Sequence, residues 1–160
     1  YMHLLLVNPE IPGNTGNIAR LCAAEHVQLH LVKPLGFSLD DRHLKRAGLD
    51  YWDLLDVQIY ENYEEAVEKL AGHHFYFNTT KADTCYTDIR FTDEDVLVFG
   101  RESCGLPEDL LKKHPGDCIR IPMIDEARSL NLSNAVALVT MVALRQTGFK
   151  GLKQKDHRLF

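Results

Sequence analysis

Short apolar runs alternate with stretches of helical spacing along the whole chain. The runs at 3–7, 28–32, 57–60, 74–78, 96–99 and 118–121 are strand-length and stop close to Pro, Gly or Asn, the pattern of strands buried on both faces. Between the first two, residues 17–26 (NIARLCAAEH) place Ile18, Leu21 and Cys22 at helical spacing, with Asn14 or Thr15 as the cap. A short basic helix is expected over 40–47, stopped by Gly48. A third is expected over 63–71, capped by Asn62 and ended by Gly72, and a fourth over 107–113 with Pro107 in its first turn. The most apolar helix covers 133–147 (SNAVALVTMVALRQT), capped by Ser133 and ended at Gly148. Residues after Lys150 are polar and read as a loose tail.

This alternation, with no linker, repeat or low-complexity segment, implies one α/β domain over 1–160: a mainly parallel sheet with helices on both faces. Ligands of such sheets bind beyond the carboxyl ends of the strands. Three loops in that position carry most of the chemistry-bearing residues.

The first loop, 9–20 (PEIPGNTGNIAR), is a polar, Gly-rich turn running into a helix, with N–H groups free for an anion, Asn14 and Asn17 suited to ribose or base edges, and Arg20 one turn in. It is neither a P-loop nor GxGxxG. In the second, 99–107 (FGRESCGLP), Gly100 would let a ligand approach the backbone, Gly105 would permit a positive-φ turn, and Glu102 can accept from an amine or hydroxyl. The third, 121–135, leads into the most apolar helix. There the backbone around Ile121 and Met123, with Met and Leu side chains, suits a flat adenine. Ser129, Asn131, Ser133 and Asn134 form a polar set denser than capping alone requires.

Composition narrows the classes. Hydrophobic residues make up 45% and charged residues 26%, enough for a real core. The first apolar run lacks a basic flank and reads as a strand rather than a signal peptide, and no run reaches the ~18–20 residues of a membrane span. Four scattered cysteines without a CxxC pair fit reduced thiols in a cytoplasmic protein. The eight histidines show no ligand spacing, and adjacent His73 and His74 would face opposite ways on a strand, so no metal is expected. A net charge of −5 means that any nucleic-acid site is a local patch.

The segments NTGNIARL (14–21), PLGF (34–37), RAGLDY (46–51), TTK (79–81), FGRESCGLP (99–107) and IPM…RSLNLSNAVAL (121–138) span nearly the whole chain. Together they resemble the motifs of the SPOUT, or trefoil-knot, RNA methyltransferases, in particular the subfamily that methylates the ribose 2′-hydroxyl of the tRNA wobble nucleotide, cytidine or modified uridine at position 34. The resemblance implies a C-terminal trefoil knot, which ordinary connection rules would reject. It also implies a homodimer with active sites at or near the subunit interface, and S-adenosylmethionine as cofactor. Carried over by position, the cofactor site would involve Asn78, Gly100, Ile121, Met123, Ser129 and Leu130, with Asn78 standing where an apolar residue is expected. The catalytic set would be Arg20, Asn14, Glu102, Ser133 and Asn134.

Methyl transfer from a sulfonium is an in-line displacement that needs alignment, exclusion of water and removal of the hydroxyl proton. A guanidinium stays protonated at physiological pH, so Arg20 is expected to bind phosphate or acidify the hydroxyl, while Glu102 or the cofactor carboxylate takes the proton. The expected tRNA patch is Lys33, Arg42, Lys45, Arg46, Lys81, Arg101 and Arg128, pooled between two subunits. The competing readings are another RNA ribose such as one in rRNA, and a non-catalytic RNA- or nucleotide-binding module. A dinucleotide oxidoreductase lacks its glycine fingerprint here.

Overall fold

Alternation along the first strand decides how the sheet is sandwiched. In the computed structural model, which describes residues 1–52 and 54–160 apart from the side chains of 47–50 and 52, Leu4 and Leu6 of β1 (His3–Val7) enter one apolar cluster. Leu5 and Val7 enter the other. The same division holds on β5 (Val96–Phe99), where Leu97 and Phe99 face one side and Val96 and Val98 the other. A strand buried on both faces is what its unbroken apolar sequence required.

Among the described residues, six strands form one sheet. With β2 (Gln28–Val32), β3 (Gln58–Tyr60), β4 (Phe75–Asn78) and β6 (Cys118–Ile119), the order is β3-β2-β1-β5-β4-β6. Every strand pairing is parallel, and Leu4 sits between Leu29 and Leu97 in register. On one face lie α1 (Pro12–Glu25) and α5 (Leu132–Gln146), burying Ile18, Ala19 and Cys22 beside Val136, Val139 and Ala143. On the other lie α3 (Tyr63–Lys69) and α4 (Glu108–Lys112), burying Ala66 and Leu111. The helix α2 (Arg42–Trp52) packs against α1. The expected α/β architecture is therefore present.

Several boundaries differ from expectation. Helix α1 starts at Pro12, not 17, because proline suits the first helical position, where its missing N–H costs nothing. Neither Asn14 nor Thr15 caps it: the cap position is Ile11, which has no side-chain acceptor. Gly48 does not stop α2, whose backbone stays helical to Trp52, since packing against α1 outweighs the ~1 kcal/mol cost of an internal glycine. Helix α5 is capped by Asn131, not Ser133. The expectation for Asn62 holds, its side chain accepting from the Glu65 N–H at 2.9 Å. Strand β6 is only two residues long, and Arg120 continues it as a single parallel bridge to Cys85. Residues 153–160 are exposed and form no helix or strand.

Candidate functional site

Because all strands run parallel, the loops after β1, β5 and β6 emerge at one edge of the sheet, and hydrogen bonds tie them together. The Glu102 carboxylate, from the loop after β5, accepts from the Glu10 N–H and the Ile11 N–H, both at 2.8 Å, and from Asn14 Nδ2 at 3.2 Å. It supplies the anionic cap that Ile11 cannot, at the positive end of α1. In return, Glu10 accepts from the Ser103 N–H at 2.8 Å, which holds its carboxyl below the usual carboxylate range. Two expectations are thereby corrected. The N–H groups of Glu10 and Ile11, just ahead of α1, are already used by Glu102, and the Glu102 carboxylate is hydrogen-bonded to its own chain's backbone rather than free.

Asn14 carries the linkage onward. It is buried, and its Oδ1 accepts from Asn131 Nδ2 at 3.1 Å. Asn131 Oδ1 in turn accepts from the N–H groups of Ser133 (2.9 Å) and Asn134 (3.3 Å), capping α5. One chain of side chains thus joins all three loops, with Asn131, named only within the polar set, at its centre. Ser133 and Asn134 meet it through their backbone N–H groups, and Ser133 adds its hydroxyl.

Next to this network lies a cleft of about 100 Å³ lined by Asn78, Ile121, Met123, Ser129 and Leu130, five of the six residues expected to hold a cofactor. Thr79, Thr80, Phe99, Ile119, Arg120 and Ala135 complete its walls. Of these, Thr79 and Thr80 belong to the TTK segment already singled out. Arg120 was missed; its Nη1 donates to the Thr80 carbonyl at 3.0 Å, bracing the β4 and β6 exits against each other. Asn78 Nδ2 donates to the Val98 carbonyl at 3.1 Å, which leaves Asn78 Oδ1 buried without a partner among the described residues.

Gly100 is not in the cleft wall. A Cβ there would lie 2.2 Å from the Gly105 carbonyl carbon and 2.3 Å from the Leu106 nitrogen, so what approaches it is the loop's own return and not a ligand. Gly105 has the expected positive φ, at +72°. A larger groove of about 820 Å³ lies between α3 and α4, floored by Leu70, Phe75 and Phe77, and contains none of the expected site residues.

Arg20 is not brought to the polar network. Six residues beyond Asn14, it points about 120° away around α1 and is exposed, with its guanidinium carbon 4.8 Å from the Tyr51 ring centre. Of RAGLDY, Arg46 and Tyr51 are described side chains, and those of 47–50 lie outside the described residues. The expected basic patch is divided. Arg42 and Arg46, one turn apart on α2, are exposed, as is Arg128. Lys33 pairs with Glu61 (3.1 Å), Lys45 with Asp40 (3.6 Å) and Lys81 with Glu108. Arg101 is half-buried, with Nη2 3.4 Å from Asn8 Oδ1.

The pattern of the SpoU rRNA Methylase family matches residues 1–141. The chain belongs to that family. A relative from Methylovorus glucosotrophus, named a tRNA (cytidine(34)-2′-O)-methyltransferase, is 49% identical over 92% of this chain and 97% of its own. A solved structure described as giving insights into the 2-OH methylation of C/U34 on tRNA superposes with a TM-score of 0.87 at 42% identity, covering 91% of this chain and 95% of the other. An AdoMet-bound rRNA methyltransferase from Sinorhizobium meliloti superposes with a TM-score of 0.80 at 26% identity, over 90% of this chain and 56% of the other. Membership of this SPOUT-type family agrees with the motif resemblance, and the parallel sheet of these methyltransferases is the one seen here. No helix of the described residues is long and apolar enough to cross a membrane.

Proposed function

We propose that this protein is an S-adenosylmethionine-dependent tRNA methyltransferase that acts on the ribose 2′-hydroxyl of the wobble nucleotide, cytidine or modified uridine at position 34. The observation that carries the reading is the hydrogen-bonded joining of the three motif loops through Glu102, Asn14 and Asn131 beside the cleft. It is supported by the tRNA 34 ribose methylation named for relatives that cover nearly their whole length.

The lining of the cleft suits the adenine end of such a cofactor. Ile119, Ile121, Met123 and Leu130 offer apolar surface to a flat ring. The unpartnered Asn78 Oδ1 can accept from an amine or hydroxyl, which would relieve the roughly 1–3 kcal/mol cost of a buried, unsatisfied acceptor. Ser129 adds a hydroxyl at the rim. When bound, S-adenosylmethionine supplies the electrophilic methyl group; the protein aligns and shields. Glu102 and Asn131 are positioning residues. They fix the first and third loops and leave Arg20 to meet the RNA, binding its phosphate or lowering the pKa of the hydroxyl.

Two copies are proposed to share each site. Arg20 faces away from the cleft network of its own chain, and α5, which packs with α1, leaves Leu138 and Met141 exposed for a second copy. The exposed arginines 42, 46 and 128 are the proposed phosphate contacts. With tRNA as substrate, the cytoplasm is the proposed compartment, and a C-terminal trefoil knot is proposed on the same family grounds.

The test is transfer of labelled methyl from S-adenosylmethionine to bulk tRNA lacking this modification, followed by nucleoside analysis. Label in a 2′-O-methylated pyrimidine at position 34 is the expected result. Label in rRNA alone would move the substrate. Absence of cofactor binding by calorimetry would overturn the enzyme reading.

A further inference from the structure

Three side chains that methyl transfer does not use converge at the opposite edge of the sheet. His3 opens β1, Glu94 stands two residues before β5 and His73 two residues before β4, and these strands are adjacent in the sheet. One donor atom from each of His3, His73 and Glu94 lies within 4.8 Å of the others. We propose that His3, His73 and Glu94 form a binding site for a divalent transition-metal ion, zinc foremost, clamping the amino ends of the three central strands.

The hydrogen bonds around the two histidines prepare them as ligands. His73 Nδ1 is 2.6 Å from the Glu94 carbonyl oxygen, so that nitrogen carries the hydrogen and Nε2 keeps its lone pair. His3 Nδ1 is 2.9 Å from His30 Nε2, and His30 Nδ1 is 2.8 Å from the Tyr60 hydroxyl. Of the two directions these distances allow, the one in which His3 donates to His30 and His30 to Tyr60 leaves His3 Nε2 free as a ligand, and it is the one the proposed site requires. Histidine ligands characteristically donate their other N–H to such a partner, which fixes the ring and raises its basicity.

The donor set also selects the ion. Two imidazoles and a carboxylate suit zinc and its neighbours, whereas magnesium and calcium take oxygen ligands. At zinc–ligand lengths of about 2.1 Å, tetrahedral ligands lie roughly 3.4 Å apart, so the three groups close by about an ångström around the ion. Glu94 is exposed and can make that movement. The site lies at the amino edge of the sheet, away from the methyl-transfer loops, and does not depend on the proposed activity.

The experiment is a calorimetric titration of zinc chloride into the full, tag-free chain after chelator treatment. One zinc per chain is expected, with a rise in melting temperature. His73→Gln and Glu94→Gln should each weaken binding at least about tenfold, and His30→Gln, which removes the supporting hydrogen bond, by about tenfold. The near-ultraviolet spectrum of the cobalt(II) form should lack thiolate charge transfer, which separates this site from the exposed Cys104. Absence of stoichiometric binding, unchanged affinity in both ligand variants, or a thiolate band would each overturn the proposal.

Discussion

The guanidinium carbon of Arg20 lies 4.8 Å from the ring centre of Tyr51, so the exposed cation of α1 rests on an aromatic face offered by α2. Such a contact is worth about 0.5–1 kcal/mol at an exposed site. It also narrows the range of positions open to a long side chain. If Arg20 serves the reaction, Tyr51→Leu should lower kcat about two- to fivefold and leave cofactor affinity unchanged. Tyr51→Phe should retain the rate. A Leu variant with full kcat would detach Tyr51 from catalysis. Arg20→Lys tests the cation itself, since lysine cannot reproduce the planar fork; near-complete activity in that variant would remove the Arg-specific role.

Glu102 gives a sharper test, because its two oxygens serve three donors. Glu102→Gln keeps the size but turns one acceptor into a donor that faces a backbone N–H. A loss of about 1–3 kcal/mol in urea unfolding is expected, with activity falling as well. Unaltered stability would show that the clamp between the first two loops contributes little.

The sheet and its two faces could be read directly from the chain, because strands such as Leu4–Leu6 are apolar at every position and helices such as α5 are not. The three loops could be located too, since strand order in a parallel sheet sends them to one edge. What escaped was whatever depends on partners distant in sequence. The start of α1 is not legible locally because the carboxylate that meets it is that of Glu102, about ninety residues away. Ser133 is a good capping type, yet it is Asn131 that reaches both α5 and Asn14. Arg120 and the His3–His73–Glu94 cluster have no local spacing to betray them, since their partners come from different strands. At Gly100, a glycine's need for space does not say whether a ligand or the loop's own return fills it.

Gly100→Ala follows from that last point. The added carbon would meet backbone atoms at 2.2 and 2.3 Å, and backbone cannot swing aside as a side chain can. A destabilisation of about 1–3 kcal/mol is expected, read as a lowered melting temperature, with loss of methyl transfer. A wild-type melting curve would contradict the packing described.

Acid should weaken the fold through the histidines. Burial, followed by the nearby histidines, lowers His30 to about 3, and His3 is lowered to about 4. In the unfolded chain both take up protons near pH 6.5, so between about 6.5 and 4 the unfolded state binds more protons than the folded one. Stability is therefore complete above pH 6.5 and falls as the pH drops through that window. The slope is at most about 1.4 kcal/mol per pH unit for each group, with the more buried His30 contributing most. Urea midpoints at pH 7.5 and 5.5, measured with chelator present, should show the decline. His30→Gln should flatten it, and an equal decline in that variant would assign the effect elsewhere.

Binding of tRNA should depend on few phosphates, given a net charge of −5 and three of the seven expected cations already paired with carboxylates. Arg42→Ala and Arg46→Ala should each reduce the slope of log affinity against log salt by about one. Equivalent variants at Lys33 should change it less. The reverse ranking would place the RNA on another face.

The hydrogen bond between Asn131 and Asn14 spans 117 residues, and this sets when the enzyme becomes competent. A chain emerging from the ribosome has all six of the strands described, and the Glu102 link, before the third loop is made. The sheet can therefore begin to assemble while translation continues, since its early contacts are the nearer ones. The proposed methyl-transfer pocket cannot. It waits for the final fifth of the chain, so a product that stops short of Asn131 would carry most of a core but no finished site, and activity reports on completed synthesis.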